Sequence, residues 1–136
     1  VISQSIELII RHEAKRNKMY KDSLGIWSIG IGRNLERGVS DDVVELMFDE
    51  DMRSVYRDCR TFEWYKSLNG ARQAVIENMI FNMGLRTFSG FKKTIKLISD
   101  GDFGEASKEM LRSRWSEQVG RRSIELANMM RSGEFQ

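Results

Sequence analysis

Met19-Tyr20-Lys21-Asp22-Ser23-Leu24-Gly25-Ile26-Trp27-Ser28-Ile29-Gly30-Ile31-Gly32 is the stretch whose reading decides the fold. Asp22-Ser23-Leu24-Gly25 matches a type I turn, with Asp at its first position and Gly at its fourth. After the turn, Trp27, Ile29 and Ile31 alternate with small residues, the period of two that a half-buried strand shows. The pattern predicts a β-hairpin within residues 18–34. Upstream, Ile2, Ile6, Ile9 and Ile10 recur at helical spacing, predicting a short amphipathic helix over 3–13 that ends near Glu13 and Ala14. Downstream, Gly38-Val39-Ser40 closes the segment, and the helical period returns with Val44, Met47, Phe48, Met52, Val55, Tyr56 and Cys59. That predicts one long connecting helix over 41–59, whose positive N-terminal pole suits Asp41 and Asp42.

Proline is absent from the chain, so helices run without forced breaks and glycine does the punctuating. Asn69 reads as an N-cap. Residues 70–83 follow it, apolar nearly all round, and stop at Gly84, as befits a helix at the centre of a bundle. Further helices are predicted over 91–99, 103–113 and 121–132, separated by Asp100-Gly101 and Val119-Gly120. Asp102 and Glu105 form a capping-box variant. The fold class is α+β, mostly α. It reads as a single domain over 1–136: a small lobe of residues 12–60 with the hairpin, joined by its helix to a helical lobe of residues 1–11 and 61–136.

Length and composition narrow the chemistry. A 136-residue chain buries roughly two-thirds of its unfolded surface, enough for a core without staples. One cysteine, Cys59, forms no intrachain disulfide, and one histidine, His12, builds no multi-histidine metal site. No metal or cofactor is expected. No apolar run approaches the roughly 20 residues a bilayer requires, so no membrane insertion is expected either. Net charge is +2, yet residues 41–60 carry seven acids against three bases, a net −4 that leaves +6 elsewhere. Part of that excess lies at Arg112, Arg114, Arg121 and Arg122, which form a solvated helix face or attract a polyanionic surface. No secretory signal is expected before the first amphipathic segment.

Gly30-Ile31-Gly32 does not make a nucleotide loop: Leu35 stands where the dinucleotide fingerprint wants glycine, and no Gly-Lys-Ser/Thr follows. Two glycines on a strand instead permit close approach of a packed helix or an extended ligand. The informative set is Glu13, Asp22 and Ser28. A glutamate at a helix C-terminus faces the negative pole of the dipole, and partial burial there would raise its pKa as a general acid needs. Asp22 has a sufficient role in its turn, and Ser28 alone is a polar strand residue. The hairpin is expected to bring Ser28 back opposite Asp22, so that two carboxyls and a hydroxyl line one cleft. Paired carboxyls flanking a bond are the equipment of glycoside hydrolysis.

Arg11-His12-Glu13, Met19-Tyr20-Lys21-Asp22 and Ile26-Trp27-Ser28-Ile29-Gly30-Ile31-Gly32 together resemble the N-terminal motif of the phage-type lysozymes, glycoside hydrolase family 24. That motif is Glu, eight residues, Asp, five residues, Thr, and the chain has Glu13, Asp22 and Ser28 at those spacings. The likeness continues through Glu45–Asp51, Asn78–Gly84 and Ser113-Arg114-Trp115, covering nearly the whole chain. The resemblance implies a lysozyme-like fold and a muramidase, hydrolysing the β-1,4 bond between N-acetylmuramic acid and N-acetylglucosamine in peptidoglycan. Glu13 would be the general acid, with Asp22 and Ser28 positioning water. Gly32, Asn34, Phe81, Asn82 and Thr94 fall in the substrate-binding set, and Arg122 stands where the family pairs an arginine with the catalytic Glu. An endolysin of this kind is a monomer, made in the host cytoplasm and acting on the wall in the periplasm, with peptidoglycan and no nucleic acid as its partner.

The departures carry expectations too. Ser28 replaces the family's Thr, keeping the hydroxyl but losing the methyl that restrains its rotamer. Arg33 replaces a histidine whose partner position holds Asp51, which predicts an Arg33–Asp51 pair. Asn34 and Glu109 differ from the family's saccharide-contacting residues. Between Leu35 and Ser40 the longer members carry an extra strand and helix, so this lobe is minimal. The competing reading is a cell-wall-binding or partner-binding module on a lysozyme scaffold with weakened catalysis.

Overall fold

A computed structural model describes residues 3–136; Ile2, counted in the first helical period, lies outside the described residues. The chain forms two compact units, Val1–Met47 and Phe48–Gln136, and the division falls inside one helix. Residues 3–11 belong to the first of them.

In the first unit, α1 (Gln4–Glu13) starts at Ser3, whose hydroxyl accepts the Ile6 amide at 3.2 Å. The β1 strand (Arg16–Lys21) pairs antiparallel with β2 (Trp27–Gly30) through Tyr20↔Ser28 and Lys21↔Trp27, with a bulge between Arg16 and Tyr20. The turn forms as the sequence predicts, the Gly25 amide donating to the Asp22 carbonyl at 3.0 Å. The ribbon does not end there. Gly30 and Gly32 both have positive φ, +72° and +70°, a region other residues enter at a cost, and they reverse the chain into β3 (Arg33–Asn34) on the far side of β2. Alternation through Ile31 reads as one continuous strand; the two glycine dihedrals make it a tight reversal and a third strand. A 3₁₀ turn, Leu35–Arg37, follows in place of any longer excursion.

The α2 helix (Asp41–Cys59) has the expected bounds, with Val55 and Cys59 buried. After a 3₁₀ segment (Glu63–Ser67), α3 (Gly70–Ser89) begins at Asn69, whose side chain accepts the Arg72 amide at 3.0 Å. Its helical dihedrals break at Gly84, φ +83°, where the sequence reading ends the helix, and a short helical segment continues beyond. Then come α4 (Lys92–Ser99), α5 (Phe103–Leu111), α6 (Arg114–Val119) and α7 (Arg121–Ser132). The sequence reading carried α5 to 113 and gave no helix at α6, because Ser113 caps a new helix, accepting the Ser116 amide at 3.2 Å. A serine that stops one helix and starts the next leaves no gap in the apolar period.

The core of this unit gathers around α3. Val75, Ile76 and Met79 are fully buried, packed with Phe88, Ile98, Met110, Ala127 and Met130 from the surrounding helices. Phe88 stacks with Phe91 and meets Phe62 edge-on, and Phe91 meets Trp115 edge-on. Arg72 on α3 closes the end of α7. Its Nε donates to the Met130 carbonyl at 2.7 Å and an Nη to the Arg131 carbonyl at 3.0 Å, while Asn69 reaches the Gly133 carbonyl at 2.9 Å. The guanidinium lies 3.8 Å over the Phe103 ring, adding a cation–π contact. These bonds satisfy carbonyls that a helix end otherwise leaves to water. Arg72→Met keeps the stem and removes the donors, so urea unfolding should show a loss of about 1–3 kcal/mol; an unchanged midpoint would mean that solvent serves these carbonyls as well.

Candidate functional site

Glu13 is the last residue of α1, and the chain leaves it through Ala14, whose φ of +63° is the only positive φ of a non-glycine among the described residues. With ψ at 167° the residue lies in a region that glycine normally occupies, at a cost of about 1–3 kcal/mol, and it sets the helix end against the β2–β3 reversal. At Gly32 the Glu13 carboxyl lies against the backbone: a Cβ built there would lie 2.6 Å from Glu13 Oε2 and 2.8 Å from its carboxyl carbon, so a larger residue would have to displace that carboxyl. The close approach anticipated at the two glycines is therefore made by α1, and it is made by the carboxyl of Glu13. That carboxyl is exposed, so the partial burial expected of it is not met.

Asp22 Oδ1 accepts two amides, Leu24 at 2.8 Å and Ile26 at 2.9 Å, which fixes the side chain in its turn. Among the described residues Oδ2 takes no hydrogen bond, so one oxygen remains to orient a water. Ser28 is 3% exposed, with its hydroxyl 3.4 Å from the Ile26 carbonyl. It pairs with Tyr20, not with Asp22 as the hairpin reading expected. The Asp22 amide instead bonds the Ile26 carbonyl at 2.9 Å, so Ser28 is the diagonal neighbour of Asp22 on the same face of the ribbon. Asn34 spends its side-chain oxygen on the Glu36 amide at 2.8 Å, capping the 3₁₀ turn. Arg33 is exposed on β3.

The other candidates lie on the helical unit. Phe81 is exposed and meets Phe48 edge-on at 5.8 Å. Asn82 accepts the indole N–H of Trp115 at 2.9 Å, an assignment for Trp115 that the sequence does not reveal. Arg122 donates through Nε to Asn78 Oδ1 at 2.7 Å and borders a cavity of about 370 Å³ with Met52, Glu77 and Phe81. Asp51 is exposed beside Asp58 at a separate concavity. Thr94 is buried and lines a cavity of about 460 Å³, together with Phe91, Glu109 and Trp115. Among the described residues no three His, Cys, Asp or Glu side chains converge as metal ligands would.

The sequence has relatives among known proteins. The phage lysozyme family profile matches residues 10–132, and the chain belongs to that family. It is 27% identical to probable T4-type lysozyme 1 of Dictyostelium discoideum and 24% identical to probable T4-type lysozyme 2 of the same organism, in each case over 98% of this chain and 96% of the relative. Both alignments run to 164 residues, longer than the chain itself, so the relatives carry residues that it lacks. The pre-baseplate central spike protein Gp5 of Enterobacteria phage T4 is 22% identical over 96% of this chain, which spans 28% of that protein.

The clearest electrostatic perturbation surrounds Glu77. Tyr65 donates its phenol to the Glu77 carboxylate in a short hydrogen bond, and its own ionisation is pushed upward, first by burial and then by that bond. Burial, followed by the Glu77 and Asp58 charges, pushes the Cys59 thiol from the ordinary 9.0 up to about 12. Between about pH 9 and pH 12 the unfolded chain therefore releases this proton while the folded chain keeps it, and stability is lost as pH rises through that window. Urea unfolding at pH 7 and pH 10.5 should show a smaller alkaline loss for Cys59→Ala than for the parent; equal losses would place the alkaline sensitivity elsewhere.

Proposed function

We propose that the protein is a muramidase, hydrolysing the β-1,4 bond between N-acetylmuramic acid and N-acetylglucosamine in peptidoglycan. The observation that carries this reading is the Glu13 carboxyl closing over Gly32, beside the ribbon that holds Asp22 and Ser28. Family membership gives it independent support, and so do the relatives named as T4-type lysozymes.

In this reading Glu13 protonates the leaving glycosidic oxygen while Asp22 takes the proton of an attacking water that the Ser28 hydroxyl helps to hold. Asp22 suits the task because its two amide bonds leave the second oxygen to the water. The reaction is inverting, with the carboxyls separated by about 6.5–9.5 Å to admit that water. Ser28 lacks the methyl that would fix its hydroxyl, so water positioning is looser and turnover lower than with threonine. Gly32 gives the sugar backbone access, Asn34, Phe81, Asn82 and Thr94 contribute glycan contacts, and Arg122, Arg33 and Asp51 are supporting residues. No metal or cofactor takes part.

Glu13→Gln should abolish clearing of permeabilised bacteria while leaving the circular dichroism spectrum and thermal midpoint unchanged. Mass analysis of digested walls should find fragments ending in reducing N-acetylmuramic acid. Fragments ending in N-acetylglucosamine, or cleavage within the peptide, would overturn the assigned bond. Wall binding without clearing by the parent protein would make it a binding module on a lysozyme scaffold.

A further inference from the structure

The ribbon of the first unit has two unlike faces. Residues directly opposite each other share a face, and faces alternate along a strand. Tyr20, Ser28 and Asn34 therefore lie on one side, while Lys21, Trp27, Ile29 and Arg33 lie on the other. On the first side Ser28 is buried. On the second, Trp27 is 41% exposed, Lys21 and Arg33 are exposed, and Ile29 is half-buried. Two more apolar side chains add to this surface: Met19 on β1 is 62% exposed and Leu24, in the turn at the tip, 82%. Apolar groups left to water at one end of a short ribbon mark an interaction surface more than scattered ones do.

The charge of the same segment is one-sided. Residues 15–37 hold six bases, Lys15, Arg16, Lys18, Lys21, Arg33 and Arg37, against Asp22 and Glu36, a net +4. All six are exposed, and among the described residues none is held in an ion pair. Two rest on aromatic rings instead: Lys21 Nζ lies 5.2 Å from the Trp27 ring centre and the Arg16 guanidinium 4.5 Å from that of Tyr20. Such cations keep their heads in solvent while their stems cover apolar surface. Two copies of this face would repel each other. A soluble polyanion would meet the bases but leave Leu24, Met19 and Trp27 in water. The headgroup layer of an anionic bilayer accepts both, with phosphates on the bases, the indole at headgroup level and the leucine at the acyl boundary.

We propose that the ribbon face bearing Lys21, Trp27 and Arg33, together with the Leu24 tip, docks the protein on a lipid surface rich in anionic headgroups. The contact is peripheral, since no helix of the described residues is long and apolar enough to cross a membrane. The opposite face carries Ser28, and Asp22 shares it, so docking turns these groups away from the lipid. Part of the excess of bases noted in the sequence thus has a local object at residues 15–37. The proposal does not rest on the muramidase reading.

The whole chain is titrated with vesicles of phosphatidylcholine alone, with vesicles of phosphatidylcholine mixed equally with phosphatidylglycerol, and with soluble polyphosphate, and binding is followed by co-sedimentation and tryptophan emission. Affinity for the mixed vesicles should exceed that for phosphatidylcholine by about tenfold or more, since each base near an anionic surface contributes about fivefold. Emission should move to shorter wavelength as Trp27 leaves water. Trp27→Phe should still bind but lose that shift, because Trp64 and Trp115 already lie within the helical packing. Leu24→Gln, at an exposed tip, should weaken binding several-fold, and Lys18→Gln combined with Lys21→Gln by about tenfold or more. Equal affinity for the two vesicles, or a shift that survives Trp27→Phe, would overturn the proposal. Polyphosphate binding that matches the mixed vesicles and ignores Leu24→Gln would overturn it by assigning the surface to a soluble polyanion. Dimerisation of the lipid-free chain through these same residues would overturn it in favour of a second copy. None of these measurements reads wall digestion, so their outcome is separate from that of the muramidase reading.

Discussion

Burial of the first half of α3, where residues 71–80 include none that is exposed, is the constraint from which the helical unit is built. Val75, Ile76 and Met79 have no exposed surface and share one core with Ile98, Met110, Ala127 and Met130 from other helices of the unit. Each fully buried side chain of this size contributes about 1.5–3 kcal/mol relative to exposure. Phe88 extends the same packing past the break at Gly84, where a left-handed dihedral redirects the chain without leaving the core. Polar groups at the edge of this packing are satisfied from α3 as well: Arg72 serves the end of α7, Glu77 accepts from Tyr65, and Asn78 holds Arg122. One helix thus supplies apolar filling on its inner face and fixed partners at its margins.

The first unit works by a different economy. It has little apolar interior: α1 has no buried residue, and Ser28 is the sole buried position on the strands. Backbone geometry does the positioning. Positive dihedrals at Ala14, Gly30 and Gly32 set the helix end against the ribbon, and the Asp22 carboxylate accepts two amides of its own turn. Strained or glycine-dependent backbone at such a place is consistent with function, since nothing in the packing requires it.

Several features of this arrangement are legible in the amino-acid order because they depend on local chemistry. The type I turn at Asp22, the bounds of α2, the N-cap at Asn69 and the interruption at Gly84 all follow from residue types whose preferences are strong and short-range. The features that were not legible depend on dihedral sign or on distant neighbours. Ile31 continues a period of two while the glycines around it reverse the chain, and Ser113 ends one helix by starting another. The Glu13, Asp22 and Ser28 set could be named from spacing and resemblance, but not the Tyr20↔Ser28 register that makes Asp22 a diagonal neighbour. The cavity beside Thr94 is built from residues 87–118, with its cations drawn from two stretches twenty positions apart, and no single motif announces it.

Cys59 is the chain's only sulfhydryl; it sits wholly inside the core, and its proton is held far above neutrality. Because the thiolate is the reactive form, maleimide and similar reagents will find almost nothing to attack on the folded protein at neutral pH. A cysteine introduced at any exposed position would then be the sole attachment point for a spin label, fluorophore or surface tether. The native residue could stay in place, so distances could be measured on a scaffold whose interior has not been altered.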